Sequence, residues 1–410
     1  MTAPGGHDVA VVGAGLVGLA TARELLTRHP GLRLAVLDRE ARVAAHQSGH
    51  NSGVVHAGIY YAPGSAKAQL CVEGARRLYA YCEARGVRAE RCGKVIVAVE
   101  PAELGRLDEL ERRGRANGVP GLRRVDAAGL AELEPHATGI AALHSPATGI
   151  VDFPGVAAAL AADVAQAGGE LLLGAEVTGV TRRAGAVVLA RDGAPDVVAR
   201  RVVFCAGLWA DRLARAGGAP ADPRIVPFRG QYLRLAPHAR DLVRGLIYPV
   251  SDPRLPFLGV HLTRTISGEV LLGPTALMAG ARDAYALRTL RTADLRDTLG
   301  WPGTWRLAAR WWRTGAAELR MQASRRAFVA ACARYVPALG PDDVQPGWAG
   351  VRAQAVARDG TLVDDFVFSE TADAVHVRNA PSPAATSCLA IAGRIADRAD
   401  AAFALGRHAA

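Results

Sequence analysis

Apolar and polar positions change period abruptly over the first forty residues. Asp8-Val-Ala-Val-Val12 is a short apolar run rich in β-branched residues, and it predicts a buried strand. Gly13-Ala14-Gly15-Leu16-Val17-Gly18 follows at once, and Leu19 to Arg28 carries apolar residues at helical spacing. Gly31 breaks that helix, and Leu32 to Leu37 predicts a second strand, ending at Asp38, 20 residues after Gly18. Further along, Gly155 to Ala167 predicts an Ala-rich helix ended by Gly168-Gly169, and Glu170–Leu173 with Ala175–Val177 continue as strand. Val187–Arg191 and Val197–Val203 read as a hairpin pair. The stretch Val202 to Asp211 reads as a buried strand followed by a small-residue turn, Cys205-Ala206-Gly207, into a helix. A last helix starts at about Leu389.

The opening strand–turn–helix–strand carries G-x-G-x-x-G and an acid at the spacing of a dinucleotide-binding unit. Gly13 permits the tight turn. Gly15 lets a pyrophosphate approach the backbone, and Gly18 lets helix and strand pack closely. The helix start offers N–H groups and partial positive charge to phosphate, and Asp38 is suited to accept hydrogen bonds from ribose hydroxyls. These residues alone leave NAD(P) and FAD both open.

The stretch that follows favours FAD. Ala45 to Tyr61 is dominated by small, polar and glycine residues, and reads as a loop laid against a large flat ligand. Gly350-Val351-Arg352 and Ala380-Pro-Ser-Pro-Ala-Ala-Thr386 give a further piece, just before the last helix. Pieces this scattered suit an extended dinucleotide. The expected cofactor-binding set is Gly13, Ala14, Gly15, Gly18, Asp38, Arg39, Gln47, Ser48, Asn51, Ser52, Val177, Ala206, Gly207, Gly350, Ser382, Pro383, Ala384, Ala385 and Thr386.

Composition bounds the rest. The 410 residues suit two packed domains or one large α/β unit, and an apolar share of 50% excludes a disordered chain. The net charge of +10 favours anionic partners: acidic small molecules, phosphates, anionic lipid or nucleic acid. No apolar run is long enough for a transmembrane helix. Met1 to His7 lacks the basic start of a secretory signal. Six cysteines without a Cys-x-x-Cys pair point to reduced thiols in a cytoplasmic enzyme, with no metal site.

The segments His46-Gln-Ser-Gly-His-Asn-Ser-Gly53, His56-Ala-Gly-Ile-Tyr-Tyr61, Cys92-Gly-Lys94, Pro256-Phe-Leu-Gly-Val-His261 and Asn379-Ala-Pro-Ser-Pro-Ala-Ala385 carry a resemblance. The chain resembles the glycine/D-amino-acid oxidase superfamily of FAD enzymes, and within it is similar to the L-2-hydroxyglutarate oxidase/dehydrogenase family. The resemblance runs in order over nearly the whole chain. Two departures are Gln231-Tyr232-Leu233, where that family tends to have Glu-Tyr-Tyr, and Gly273-Pro-Thr275, where it tends to have Gly-Pro-Asn. The resemblance implies an α/β fold: a Rossmann-type FAD-binding domain assembled from separate segments, beside a mixed-sheet substrate domain. It also implies oxidation of L-2-hydroxyglutarate to 2-oxoglutarate, with electrons passed to quinone or oxygen. Alternatives are the same flavin chemistry on a related hydroxy or amino acid, and a non-catalytic FAD-binding protein.

Such an oxidation takes a hydride from C2 and a proton from the hydroxyl, so it needs a base near neutral pKa. His56, inside the presumed flavin-facing loop, and His261, expected to end a Phe-Leu-Gly-Val strand, are the candidates. A covalent flavin link is a further alternative for His56. A diacid needs cationic clamps, and arginine forks suit carboxylates. Arg229, Arg264 and Arg352 are the candidates, with Tyr60, Tyr61 and Lys94 behind them.

Residues 301 to 335 hold four of the six tryptophans, and seven arginines against one acid. Trp301, Trp305, Ala308 and Trp312 share a helical face. Two readings stay open: a core stripe with a solvated arginine face, or a peripheral contact with the anionic cytoplasmic face of a membrane. No nucleic-acid-reading module is present. The expected FAD domain comprises 1–85, 145–222 and 340–410, and the substrate domain 86–144 and 223–339.

Overall fold

The computed structural model describes residues 6–252 and 258–405. Most of the Met1–His7 segment, and Pro256 and Phe257 of the Phe-Leu-Gly-Val-His stretch, lie outside the described residues.

The predicted opening unit forms. Strand β1 (His7–Val12), helix α1 (Leu16–Arg28) and strand β2 (Leu34–Leu37) make a parallel crossover, with Val9 opposite Leu34 and Val12 opposite Leu37. The strand Val197–Phe204 lies parallel on the other side of β1, with Phe204 opposite Val12. A central parallel strand is covered on both faces, which is why Val9 to Val12 is a continuous apolar run without alternation. α1, the helix Phe153–Gln166 and the helix Cys388–Phe403 pack together over one face of this eight-stranded sheet.

A second sheet of nine strands stands beside the first. Its long pair is Arg224–Leu235 with Val344–Val356, antiparallel, which sets Phe228 opposite Arg352 and Gly230 opposite Gly350. This amends the expected division of the chain: the start of the 340–410 segment belongs to the second sheet. A small third sheet of Val54–Val55, Ala89–Glu90 and Gly149–Val151 leads directly into His56. His261 opens the strand His261–Arg264, where the sequence placed it at a strand end.

The tryptophan-rich helix Pro302–Ala323 departs from the core-stripe expectation. Its buried residues are Gly303, Thr304 and Leu307, while Trp305 is 59% and Trp312 62% exposed. The smallest residue sets the docking face: a Cβ on Gly303 would lie 2.2 Å from the Ala357 carbonyl oxygen. Trp301 is buried at the helix cap and donates from Nε1 to the Val356 carbonyl at 3.0 Å. Among the described residues no helix is long and apolar enough to cross a membrane.

A buried ion pair ties the two sheets' surroundings together. Arg282, 1% exposed, donates to both carboxylate oxygens of Asp211, at 2.5 and 3.0 Å, and to the Leu208 carbonyl. Asp211 lies in the helix Ala210–Ala216, just after the Gly207–Trp209 turn. Removing one partner strands the other charge in a dry interior. Arg282→Ala is therefore expected to cost about 3–5 kcal/mol, read as an earlier urea midpoint, with part of the loss recovered in an Arg282→Leu, Asp211→Leu double variant. A midpoint unchanged in Arg282→Ala would contradict this.

Candidate active site

A cavity of about 1060 Å³ is walled by both larger sheets and the loops between them. One end is built on close backbone approaches. Gly13 has φ +116°, and a Cβ there would lie 2.4 Å from the Cys205 carbonyl oxygen. A Cβ on Gly18 would lie 1.9 Å from the Gly13 oxygen. Gly15, the N-cap of α1, has no side chain to cap the helix, and Ser48 Oγ accepts from the Leu16 N–H at 3.0 Å instead. Asp38 sits on the wall with one carboxylate oxygen accepting from Ala14 N at 2.7 Å and the other from Glu40 N at 2.9 Å. Burial pushes this carboxyl above the usual range against those two bonds.

The other expected cofactor residues divide by role. Arg39, Gln47, Ser52, Val177, Ala206 and Gly207 lie on the wall, Arg39 with its guanidinium 4.3 Å over the Trp209 ring. Asn51 also lies there, but its amide is committed locally. It donates to the Gln47 and Ser48 carbonyls at 3.0 and 2.8 Å and accepts from Gly53 N at 2.9 Å, so it shapes the loop. Ala14 is off the wall: its side chain is buried in the core and Asp38 takes its N–H. Gly350 is on it, and a Cβ there would meet the His50 oxygen at 2.6 Å. Ser382, Pro383, Ala384, Ala385 and Thr386 bring the start of the helix Cys388–Phe403 to the cavity. The glycine cradle, the helix start with a glycine at its N-cap and the acid at the end of β2 fit a dinucleotide lying along this wall.

The other end gathers imidazoles, phenols and a guanidinium. His56 is fixed through its backbone: its N–H donates to Thr386 Oγ1 at 3.1 Å, and its carbonyl accepts from Cys71 Sγ at 3.3 Å. Burial, then the nearby Lys94 and His261, push its imidazole down to about 3. His261 Nδ1 is 3.0 Å from the Gly259 carbonyl. A carbonyl only accepts, so Nδ1 carries the proton and Nε2 is left as acceptor. The ring stacks on Tyr248 with centroids 4.1 Å apart, and burial pushes it down to about 4, with Lys94 and Arg352 adding to the effect. Tyr61 shares a hydrogen bond with the Ser382 side chain, and Tyr60 lies on the same wall. Arg352 lies deep in the fold yet is open to solvent through the cavity; burial lowers its pKa, with Tyr232, Asp364 and Tyr61 as neighbours that hold its charge.

Two of the expected arginine clamps are elsewhere, and strand alternation is the reason. Phe228 and Arg352 share the cavity face, so Arg229 points to the reverse face. There it donates to Gln231 Oε1 at 2.5 Å and the Tyr285 carbonyl at 3.2 Å, while its Nε and Nη1 have no partner among the described residues. Arg264 is three residues past His261, hence on the opposite face, and pairs with Glu90 at 2.8 Å. Of the two departures from the family pattern, Gln231 is off the wall and Thr275 is on it. Sequence reasoning missed Lys67, which pairs with Asp364 at 2.6 Å on the cavity wall, and gave no role to Tyr232, which hydrogen-bonds with Ser52. A lysine in the first turn of helix α2 (Ala66–Arg85) carries no signal that separates it from a solvated one.

Comparisons with known proteins agree with this geometry. The profile of the family described as FAD dependent oxidoreductase (DAO) matches residues 8–398. The chain is 47% identical to the mitochondrial L-2-hydroxyglutarate dehydrogenase of Nematostella vectensis, covering 97% of this chain and 91% of that protein. It is 41% identical to the L-2-hydroxyglutarate dehydrogenase of Escherichia coli K12, covering 96% and 93%. Among solved structures, FAD-bound L-alpha-glycerophosphate oxidase from Mycoplasma pneumoniae superposes with a TM-score of 0.78 at 23% identity, over 96% of this chain and 94% of that one. Glycine oxidase from Geobacillus kaustophilus gives 0.70 at 20% identity, over 95% and 94%, so both share the fold. With the glycine cradle, the scattered cavity wall and these matches together, the chain belongs to the DAO family of FAD dependent oxidoreductases, in the branch that holds the L-2-hydroxyglutarate dehydrogenases.

Proposed function

We propose that this enzyme oxidises L-2-hydroxyglutarate to 2-oxoglutarate, with His56 as the base and Arg352 as a carboxylate clamp. The observation that carries the reading is the meeting of a neutral imidazole and a guanidinium on one cavity wall, beside the helix start at Thr386. When bound, FAD supplies the two-electron acceptor for the C2 hydrogen. Arg352 binds one substrate carboxylate through its planar fork, which fixes C2. His56 takes the hydroxyl proton as the C2–H bond breaks and the C2–O bond becomes a carbonyl. His261, with Nε2 open as an acceptor, receives a hydrogen bond from water around the second carboxylate, the hydroxyl's one proton being directed to His56. Tyr60, Tyr61, Tyr232 and Tyr248 remain protonated, since burial holds each phenol above its ordinary range.

Anaerobic mixing of the FAD-loaded enzyme with L-2-hydroxyglutarate is expected to bleach the flavin absorbance, ahead of other hydroxy and amino acids in a panel. Faster bleaching by a different acid, or none by any, would refute the assignment. His56→Ala should slow this reduction by about 10²- to 10⁴-fold. Arg352→Ala should weaken substrate binding roughly 10- to 100-fold, the value of a hydrogen bond to a charged group. Because the His56 imidazole is pushed down to about 3, it is already unprotonated at neutral pH, and activity is lost only as pH falls toward that value. The reduction rate should therefore stay flat through about pH 6.5, where an ordinary histidine titrates. An acid limb centred there would contradict the assignment of His56.

We further propose that electrons pass to a quinone or to oxygen, and that one face of the protein rests on an anionic membrane. Trp305, Trp312 and Leu319 are each exposed along a helix that kinks at Trp311, with Arg306, Arg310, Arg313 and Arg320 exposed among them. Indole rings seat at the headgroup level, and each arginine near an anionic surface adds about 1 kcal/mol. Co-sedimentation with anionic vesicles at low salt is expected for the wild type and lost in Trp305→Ser, Trp312→Ser. Equal sedimentation of both, or of neither, would discard the contact.

A further inference from the structure

Lys94 opens the strand Lys94–Ala98 and is 2% exposed. Among the described residues no carboxylate pairs with it. Its ammonium instead lies 4.8 Å from the centroid of the Tyr60 ring and 4.8 Å from that of Tyr248. Aromatic faces return only a small part of a desolvated cation's lost hydration. A lone buried charge is thus a costly feature for a strand start that a leucine would fill.

Its neighbours suggest what the charge does. Its ammonium lies over the Tyr60 and Tyr248 rings, His261 stacks on that same Tyr248 ring at 4.1 Å, and Cys71 of helix α2 and His56 of the loop after Val54–Val55 lie within electrostatic reach. Lys94 itself is off the cavity wall, whereas Tyr60, Tyr248 and both histidines are on it, so it stands behind the site and does not touch substrate. His56 is also influenced by His261, and His261 by Arg352. A diacid entering this space brings two negative charges, which favour an imidazolium and would protonate the base before it acts. A fixed positive charge behind both rings opposes that.

We infer that Lys94 is a positioning residue: its ammonium, held between two tyrosine rings behind the cavity wall, keeps His56 and His261 unprotonated when a dianionic substrate enters. This rests on the reading of His56 as the base. Burial brings Lys94 down to about 8, so it is charged at neutral pH. Its deprotonation above that value leaves the histidines, already neutral, as they are.

The test is histidine-ring carbon-13 NMR of the FAD-loaded enzyme with saturating 2-oxoglutarate, from about pH 4.5 to about pH 8. His56→Gln and His261→Gln identify the two resonances by their loss. In the wild type and Lys94→Arg neither ring should titrate above about pH 5, whereas in Lys94→Met at least one should titrate about one pH unit or more higher. The acid limb of flavin reduction should move by the same amount. Unmoved titrations in a flavin-loaded Lys94→Met overturn the inference. If Lys94→Met does not load flavin, Lys94→Gln, which removes the charge and keeps a polar end, decides: histidines that titrate upward support the role, and histidines unmoved refute it. Flavin reduction at wild-type rate in His56→Gln would defeat the base assignment alone, since the NMR titration reports on Lys94 separately.

Discussion

Backbone in this protein runs closer to backbone than any side chain permits, and the site depends on it. The turn after β1 closes only because Gly13 and Gly18 leave room for two carbonyl oxygens, of Cys205 and Gly13. Gly350 does the same for the loop at His50. These approaches bring segments far apart in sequence onto one wall. The first holds the helix start toward a pyrophosphate. The second holds the strand bearing Arg352 against the loop that leads to His56. A methyl group at any of them would push the wall apart before it touched a ligand.

The same enclosure governs the chemistry. Taking His56 and His261 out of water disfavours their charged forms, and that cost is what leaves neutral imidazoles on this wall. Cations and acids share this wall: Lys67 pairs with Asp364, and Asp364 also helps to hold the charge of Arg352. Part of the positive charge gathers around the cavity, and part forms an exposed arginine field around Trp305 and Trp312.

The opening crossover, the hairpin of Val187 and Val197, and the residues that wall the cofactor cavity were legible because each is fixed by local rules: glycine geometry, a strand's apolar run, a helix start. For Arg229 and Arg264 the sequence carries no signal of strand parity. A motif places a residue on a strand, but only the pairing register says which face it takes, and both fell on the far side from their neighbours Phe228 and His261. Ala14 stands among the motif's glycines, yet its N–H belongs to Asp38. The tryptophan helix shows the limit of periodicity. An apolar stripe marks a face that could be buried, and a glycine elsewhere on the same helix decided which one was. Lys67 had no sequence signal because its partner, Asp364, is 297 residues away.

The central claim is that a diacid lies between Arg352 and His56. A crystal structure of the FAD-loaded protein with 2-oxoglutarate tests it directly. The account predicts one carboxylate on the Arg352 guanidinium and the C2 oxygen within about 3 Å of the His56 ring. A well-ordered 2-oxoglutarate that touches neither side chain would contradict it.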